Sequence, residues 1–281
     1  MANEIVKYNN DLNTTNMRGW NTEELNFFFS ILAKAKNKGT KKLVFESDEL
    51  KQLCRYSSRS IERWTNTMSS CVKKIAQLTY WEQQNGTFEV MTLFTRLRVN
   101  SNDGTVEVEV SPYFEYLLNK FEDFGFTNFE LEEFVSIRST YAKQMYRQIK
   151  QWKKLGYKEW SIQEFRYLLA IPNCYKSSDI DKRVLKPIIK ELGPIFNLKV
   201  KPIKKKTKGN PIIGYAFKWT PERTNQWIEG QPQRNLNKPK KVAKNIVPNW
   251  YEDVESEAPN EELLNEVLAK QSKLKEENQD I

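Results

Sequence analysis

The sequence predicts an α+β chain: two consecutive units of about 100 residues each, both running helix, helix, helix, β-ribbon, then a linker and an acidic, largely disordered tail. Three observations predict this. Apolar residues recur every three or four positions in successive segments of each half, which is helical spacing. Alternating or β-branched runs joined by Gly- or Pro-containing turns follow each helical set. From about Gln231 the periodicity stops, giving way to the polar, proline-punctuated "QPQRNLNKPKKVAKNIVPNW" and then to acidic residues.

In the first unit, Asn21 or Thr22 caps a helix with Glu24 in its first turn and an apolar face of Leu25, Phe28, Phe29 and Leu32; Gly39 follows its end. "KLVF" (Lys42–Phe45) reads as a short strand, and Ser47 opens a helix through Asp48, Leu50 and Leu53. In "SSRSIERWTNTMSSCVKKIAQL", capped by Ser57 or Ser58, the row Ile61, Trp64, Met68, Cys71 or Val72, Ile75 is helical. "TYWEQQ", the turn Asn85-Gly86, "TFEVMTLFTRLRV", the turn Asp103-Gly104 and "TVEVEV" form the ribbon, with Val106, Val108 and Val110 inward and Glu107 and Glu109 outward. "VMTLF" is apolar on both faces and calls for a covering element, either another chain or the helix at Tyr113–Phe121.

The second unit repeats the order of elements but not the residues. A long helix carries Tyr141, Met145, Ile149 and Trp152 on one face and ends at Gly156. Ser161 and Glu164 form a capping box for "SIQEFRYLLAI", which Pro172 closes. "SSDIDKRVLKPIIKEL" is the third helix, and "NLKVKPIKKKTKGNPIIGYAFKW" reads as two strands joined by a basic loop. Three helices followed by a β-ribbon is the plan of a winged helix-turn-helix. The boundaries expected are 1–121 and 122–224 for two tandem winged-helix domains, and 225–281 for linker and tail. One tail helix is expected, from Glu261 to about Lys273.

The 281 residues carry 45 Lys and Arg against 36 Asp and Glu, a net charge of +9. Because the tail is acidic, the positive charge is concentrated before it. Such a balance favours polyanionic partners through counterion release. There is no histidine, and the three cysteines, Cys54, Cys71 and Cys174, stand far apart with no CxxC. Imidazole-based catalysis, a zinc ribbon and a disulfide framework are therefore not expected, nor is any cofactor or metal. No GxxxxGK[ST] phosphate loop is present. The start, "MANEIVKYNN", lacks the apolar run of a signal peptide, and no apolar stretch has membrane-spanning length, so a cytoplasmic protein without membrane contact is expected.

The strongest binding signal lies in the third helix of the second unit. With Ser178 as N-cap and Asp181 three residues on, Ile180, Val184 and Ile188 form one row, widened by Leu185, Ile189 and Leu192. Lys182, Lys186 and Lys190 form the opposite row, with Arg183 beside it. A helix of this kind fits the major groove of B-DNA. Pro187 conflicts with an ordinary helix interior and is expected to kink it. A basic stripe is also what a merely solvated face looks like. The second cluster, Lys199, Lys201, Lys204, Lys205, Lys206 and Lys208, sits where a wing would lie along phosphates and favours the DNA reading. In the first unit, Arg59, Arg63, Asn66, Ser70, Lys73 and Lys74 lie off the apolar row and make a weaker analogue, for which phosphate contact, self-association and a solvated face all stay open.

Two stretches carry a family resemblance: "VKYNNDLNTTNMRGWNTEELNFFFSIL" near the start, and "RVLKPIIKELG…LKVKPIKKKTKGNPIIGYAFKW". They resemble the theta-type plasmid replication initiators, the Rep_3 (RepB/RepA-like) family. The similarity runs roughly from Ile5 to Trp219. The resemblance implies two winged-helix domains and binding of monomers to direct repeats (iterons) at a plasmid origin. It also implies melting of an adjacent AT-rich region and recruitment of host DnaA and replicative helicase. Dimers in equilibrium with monomers would repress the protein's own promoter and limit copy number. The main groove-reading role maps onto Asp179, Lys182, Arg183, Lys186 and Lys190, and the N-terminal domain would supply the dimer interface and auxiliary contacts. An enzyme is not expected: a nicking initiator resembles a fold that needs a histidine-held metal. The alternative function is a two-domain winged-helix transcriptional repressor without initiator activity.

Overall fold

The computed structural model describes residues 4–222, except 16, 85–86, 101–102, 120–124 and 208. The Asn85-Gly86 turn, Lys208, the linker and the acidic tail with its expected helix lie outside the described residues.

The chain opens with strand β1 (Ile5–Asn9) and a 3-10 turn (Asn10–Thr14) that the sequence pattern does not reveal. Helix α1 (Thr22–Ala35) follows, fixed by the Asn21/Glu24 box: Glu24 N–H donates to Asn21 Oδ1 at 2.9 Å, and Asn21 N–H donates to Glu24 Oε2 at 2.7 Å. Its burial is wider than one face. Phe27, Phe28, Phe29, Ile31 and Leu32 are all buried, because β1, the later helical segment Leu131–Ser136, and helices α2 (Ser47–Leu53) and α3 (Ile61–Ala76) surround it. Strand β2 (Leu43–Glu46) precedes α2.

Helix α3 differs from expectation at its start. Ser60, not Ser57 or Ser58, caps it, accepting from Arg63 N–H at 3.2 Å. Trp64, Met68, Cys71 and Ile75 are buried, but Ile61 is 75% exposed. With the cap at Ser60, Ile61 is the first helical residue and lies beyond the edge of the core.

The run "TFEVMTLFTRLRV" is two strands rather than one. β3 (Thr79–Gln84) pairs with β4 (Thr87–Thr92), while β5 (Phe94–Asn100) pairs with β6 (Thr105–Val110). The break is at Leu93, which is buried and whose carbonyl accepts from Ser111 N–H at 3.0 Å. β6 also pairs with β2, giving an antiparallel sheet ordered β2-β6-β5. Val106, Val108 and Val110 point into the core as the alternation predicts.

After α4 (Glu115–Asn119), strand β7 (Phe126–Glu130) pairs antiparallel with β1, Val6 opposite Phe129. This pairing spans the expected division at residues 121 and 122. Helices α5 (Leu131–Ser136) and α6 (Thr140–Gln151) come next. α6 ends at Gln151, five residues before Gly156. It buries polar side chains that the amphipathic pattern places outside: Lys143, Gln144, Arg147 and Gln148. The N-terminal segment covers that face. Arg147 donates to the Leu12 carbonyl at 2.6 Å, to Gln144 Oε1 at 2.6 Å and to the Tyr8 hydroxyl at 3.3 Å. Gln148 donates to the Asn13 carbonyl at 3.0 Å. Lys143 donates to the Phe134 carbonyl, and burial holds its pKa well below the ordinary lysine range despite Glu191 nearby.

The last third contains strand β8 (Tyr157–Ser161), helix α7 (Ile162–Leu168) with the expected Ser161/Glu164 box, a long helical stretch over 177–196, and strands β9 (Lys199–Lys204) and β10 (Ile212–Lys218). β8 has no signal of its own in the sequence, where "YKEWS" is short. It docks on β10 and buries Trp160. The sheet order is β8-β10-β9, the same arrangement as β2-β6-β5. Gly214 is required there: a Cβ would meet the Trp160 carbonyl oxygen at 2.6 Å. A chain of aromatic contacts links the halves. Phe29 packs on Phe134 (centroids 4.7 Å apart), Phe129 on Tyr146 (5.2 Å) and Tyr146 on Phe196 (5.6 Å), so the two winged helices share one continuous core.

Candidate nucleic-acid interface

The helical stretch over 177–196 has three parts: α8 (Ser177–Asp179), a π-helical segment (Ile180–Leu185) and α9 (Lys186–Phe196). It begins two residues earlier than expected. Lys176 is at the N-cap position, and Asp179 rather than Asp181 completes the cap, accepting from Lys176 N–H at 3.1 Å. Ser178 is therefore an exposed residue of the first turn, not the cap.

Pro187 does not break the helix. It has no N–H, and its ring would strike the carbonyl four residues back in a regular α-helix. The chain widens instead: Lys186 N–H donates to the Asp181 carbonyl, five residues back, immediately before the proline. Helical winding then continues through Gly193 and Pro194 to Phe196, closed by Asn197 in the left-handed conformation. The expected apolar row survives the widening, since Ile180, Val184 and Ile188 are buried, with Leu185 and Leu192 beside them; Ile189 is 42% exposed.

The opposite side is basic and open. Lys182, Arg183, Lys186 and Lys190 are exposed, and among the described residues the three lysines form no ion pair. They edge a surface depression of about 460 Å³ completed by Arg138, Ser139, Pro187 and Glu191. Glu191 crosses to the start of α6, where its carboxylate accepts from Arg138 N–H at 2.6 Å and Ser139 N–H at 3.1 Å. Thr22 at the start of α1 donates to the Arg138 carbonyl at 2.7 Å. The helix over 177–196, α6 and the first unit thus meet at one short segment. The sequence does not single out Arg138 or Glu191, because their contacts span more than 50 positions.

Among the described residues, Arg183 is the stripe residue with contacts from neighbouring side chains. Its guanidinium carbon lies 5.3 Å from the Tyr175 ring centroid and its Nε lies 3.8 Å from Asp179 Oδ1. The nearby Tyr175 side chain, and then the Asp179 charge, favour the charged form further. Burial, and then the neighbouring Tyr175 side chain, push the pKa of Tyr141 on α6 up to about 12.

Lys201, Lys204, Lys205 and Lys206 are exposed on β9 and the loop after it. The loop is shaped by its backbone: Lys205 N–H donates to the Pro211 carbonyl at 2.9 Å, and Gly209 and Asn210 take positive φ of 87° and 42°. Pro202 sits on β9, an edge strand of its sheet, where a missing N–H is tolerated.

In the first unit the same kinds of residue are arranged differently. Arg59, Asn66 and Lys73 are exposed. Arg63 is paired with Glu23 at 2.8 Å. Lys74 reaches across to the buried Glu24 at 2.6 Å and to the Gly19 carbonyl at 2.7 Å, and Ser70 donates to Glu24 Oε1 at 2.6 Å, so these two residues belong to the α1–α3 contact rather than to an open surface. Cys54 and Cys71 are buried and Cys174 is exposed; burial pushes the Cys54 thiol up to about 12 and the Cys71 thiol higher.

Two family descriptions fit this architecture. "Initiator Replication protein, WH1" matches residues 5–150, and "Initiator Rep protein, WH2" matches residues 161–219. The chain belongs to the Rep_3 family of plasmid replication initiators. The initiator is 30% identical over 235 residues to the "Probable replication protein rep" of Bifidobacterium longum (strain NCC 2705), covering 83% of this chain and 77% of that one. Its fold is similar to that in the crystal structure of Pi initiator protein in complex with iteron DNA, with a TM-score of 0.62 at 13% identity, covering 80% of this chain and all of that one. No helix among the described residues is long and apolar enough to cross a membrane.

Proposed function

We propose that this initiator binds iteron repeats at a plasmid origin as a sequence-specific double-stranded DNA-binding protein, in the cytoplasm. The helix over 177–196 enters the major groove, presenting Ser178, Asp179, Lys182, Arg183, Lys186 and Lys190, while Lys201, Lys204, Lys205, Lys206 and Lys208 of the wing track phosphates. The observation that carries this reading is the exposed lysine row, without an ion pair among the described residues, on a helix whose other side is locked into the core.

The first winged helix supplies auxiliary contacts through Arg59, Asn66 and Lys73, with Arg63 contributing when it leaves Glu23, and provides the surface for a homodimer that represses the protein's own promoter. Origin melting and recruitment of host DnaA and helicase complete the role that the family resemblance implies. Two winged helices in tandem meet successive major grooves about one helical turn apart, so one monomer covers roughly 20 bp. The division into residues 1–121, 122–224 and 225–281 stands as part of this reading, with the two winged helices joined through the β1–β7 pair.

A footprint of the full chain on the DNA flanking its own gene, at near-physiological salt against random competitor, tests the reading. Protected direct repeats of about two helical turns each are expected. Protection of a single inverted repeat alone would indicate a repressor instead, and no specific protection would overturn both.

A further inference from the structure

The reading helix carries one basic residue unlike the rest. Lys182, Lys186 and Lys190 are compact charges on flexible stems without ion-pair partners among the described residues, suited to phosphates. Arg183 is a planar fork braced from two sides. Tyr175 lies 5.3 Å from its guanidinium, and Asp179, four residues earlier on the same helix, contacts it at 3.8 Å.

The brace is itself fixed. Tyr175 sits in the turn between α7 and α8, where Arg166 clamps the backbone: its Nη2 donates to the Tyr175 carbonyl at 2.6 Å and its Nη1 to the Pro172 carbonyl at 3.0 Å. Tyr175 N–H donates to the same Pro172 carbonyl at 3.1 Å. Asp179 is held by the helix cap through Lys176 N–H. Each group touching Arg183 is therefore anchored to the scaffold rather than to solvent.

We propose that Tyr175 and Asp179 are positioning residues that hold Arg183 in advance for a guanine in the major groove, making Arg183 the principal base-reading side chain of this helix. This rests on the reading of the helix over 177–196 as the groove-entering element. The chemistry follows from the fork. Arginine recognises guanine by two parallel hydrogen bonds to O6 and N7, which demands a fixed plane, whereas a phosphate accepts many approaches. Asp179 makes its contact at Nε, at the root of the fork, and does not occupy the terminal nitrogens. Restricting a long side chain before binding lowers the ordering cost of the complex.

The test is a selection of random duplex DNA by the full chain at near-physiological salt, giving a base preference at each position, repeated with Arg183→Ala, Tyr175→Leu and Tyr175→Phe. Arg183→Ala is expected to reduce the preference for guanine at one position from about tenfold or more to near unity, leaving the other positions intact. Tyr175→Leu should reduce discrimination at that same position by at least about threefold without altering the salt slope. Tyr175→Phe, which keeps the ring and the fold but removes the hydroxyl, should fall between wild type and Tyr175→Leu. Replacing that guanine by 7-deazaguanine, which removes N7 but keeps O6, should narrow the difference between wild type and Arg183→Ala.

Flattening by Arg183→Ala with no change at that position in either Tyr175 variant would overturn the positioning role and leave the groove reading standing. Equal weakening of all sequences by Arg183→Ala would make Arg183 a phosphate contact and overturn the proposal. Failure of the wild-type chain to select any motif would remove the proposed function itself.

Discussion

The two winged helices share a topology and differ in where their positive charge goes. Sheet order β2-β6-β5 in the first is repeated as β8-β10-β9 in the second, each with its first strand docked on the last strand of the ribbon. Yet on α3, Arg63 and Lys74 are bound to Glu23 and Glu24 of α1, and nearby Arg55 is bound to Glu132. On α9 and the turns before it, the three lysines form no ion pair among the described residues. The fold supplies a groove-sized helix twice. In the proposed reading, the placement of carboxylates decides which copy is more open to a polyanion.

The comparison breaks first if the shared core is broken. Phe29 is fully buried on α1 and packs on Phe129 and Phe134, which belong to the segment joining the two units. Phe29→Ala is expected to cost about 3–5 kcal/mol of unfolding free energy. Because the core is continuous, fluorescence and far-UV circular dichroism should report one shared loss in denaturant. Separate transitions, with only the first destabilised, would show the units to be energetically independent.

The next effect separates the units by function. Lys182→Ala with Lys186→Ala removes two exposed charges that pack against nothing in the core. Specific DNA affinity should fall by about 2–4 kcal/mol, roughly 30- to 1,000-fold, with unfolding free energy unchanged. Arg63→Ala on the corresponding helix removes a cation already paired at the surface, and should change affinity by less than about 1 kcal/mol. Similar losses from both variants, measured by fluorescence anisotropy on one duplex, would erase the asymmetry.

The elements visible in the sequence are those set by short-range chemistry. The Asn21/Glu24 and Ser161/Glu164 boxes, the alternation of Val106, Val108 and Val110, and the row Ile180, Val184, Ile188 each follow from spacing within one element. What the sequence hides depends on distant partners. β1 is a strand because β7 lies more than 110 positions away, and Arg147 is buried because Leu12 and Tyr8 lie over it. Pro187 predicts a kink only if regular α-geometry is assumed. The chain adopts a π-turn, which no periodicity of apolar residues distinguishes from an α-turn. The candidate site follows the same division: its lysine stripe is legible, while the Tyr175–Arg183 contact and the Glu191 link to α6 are not.

A smaller effect concerns the acid that closes the first unit's face. Burial pushes the Glu24 carboxyl up, but hydrogen bonds from Lys74, Ser70 and the Asn21 backbone outweigh it and hold its pKa below the ordinary carboxylate value of 4.5. The folded state therefore prefers the ionised form. Its contribution to stability is present above the unfolded carboxylate pKa and is lost as pH falls through the lower folded value. Lys74→Ala leaves the buried carboxylate with fewer partners and should cost about 1–3 kcal/mol at neutral pH. It should also flatten the decline in stability below pH 4.5 that Glu24 contributes. Urea titrations between neutral pH and about pH 3 check both; an unchanged acid limb in the variant would mean that Glu24 does not carry the coupling. Glu222 in the second unit, held down against burial by Lys150 and Lys153, contributes a decline of the same sign that Lys74→Ala should leave intact.

The smallest and most diagnostic effect is in the wing. Lys204 and Lys206 are exposed on β9 and its loop, with no ring contact or ion pair among the described residues of the kind that Arg183 makes with Tyr175 and Asp179. Lys204→Ala with Lys206→Ala should weaken all duplexes about equally. The slope of log affinity against log salt should shrink by about 1.8, or about 0.9 for each phosphate no longer neutralised. Arg59→Ala with Lys73→Ala makes the matching change on the first unit. If that unit adds only auxiliary contacts, its slope change should be smaller than the wing's. A larger change would mean that the exposed charges of α3 matter more than the paired ones conceal, and that ion pairing in the free protein is a poor guide to which winged helix grips DNA.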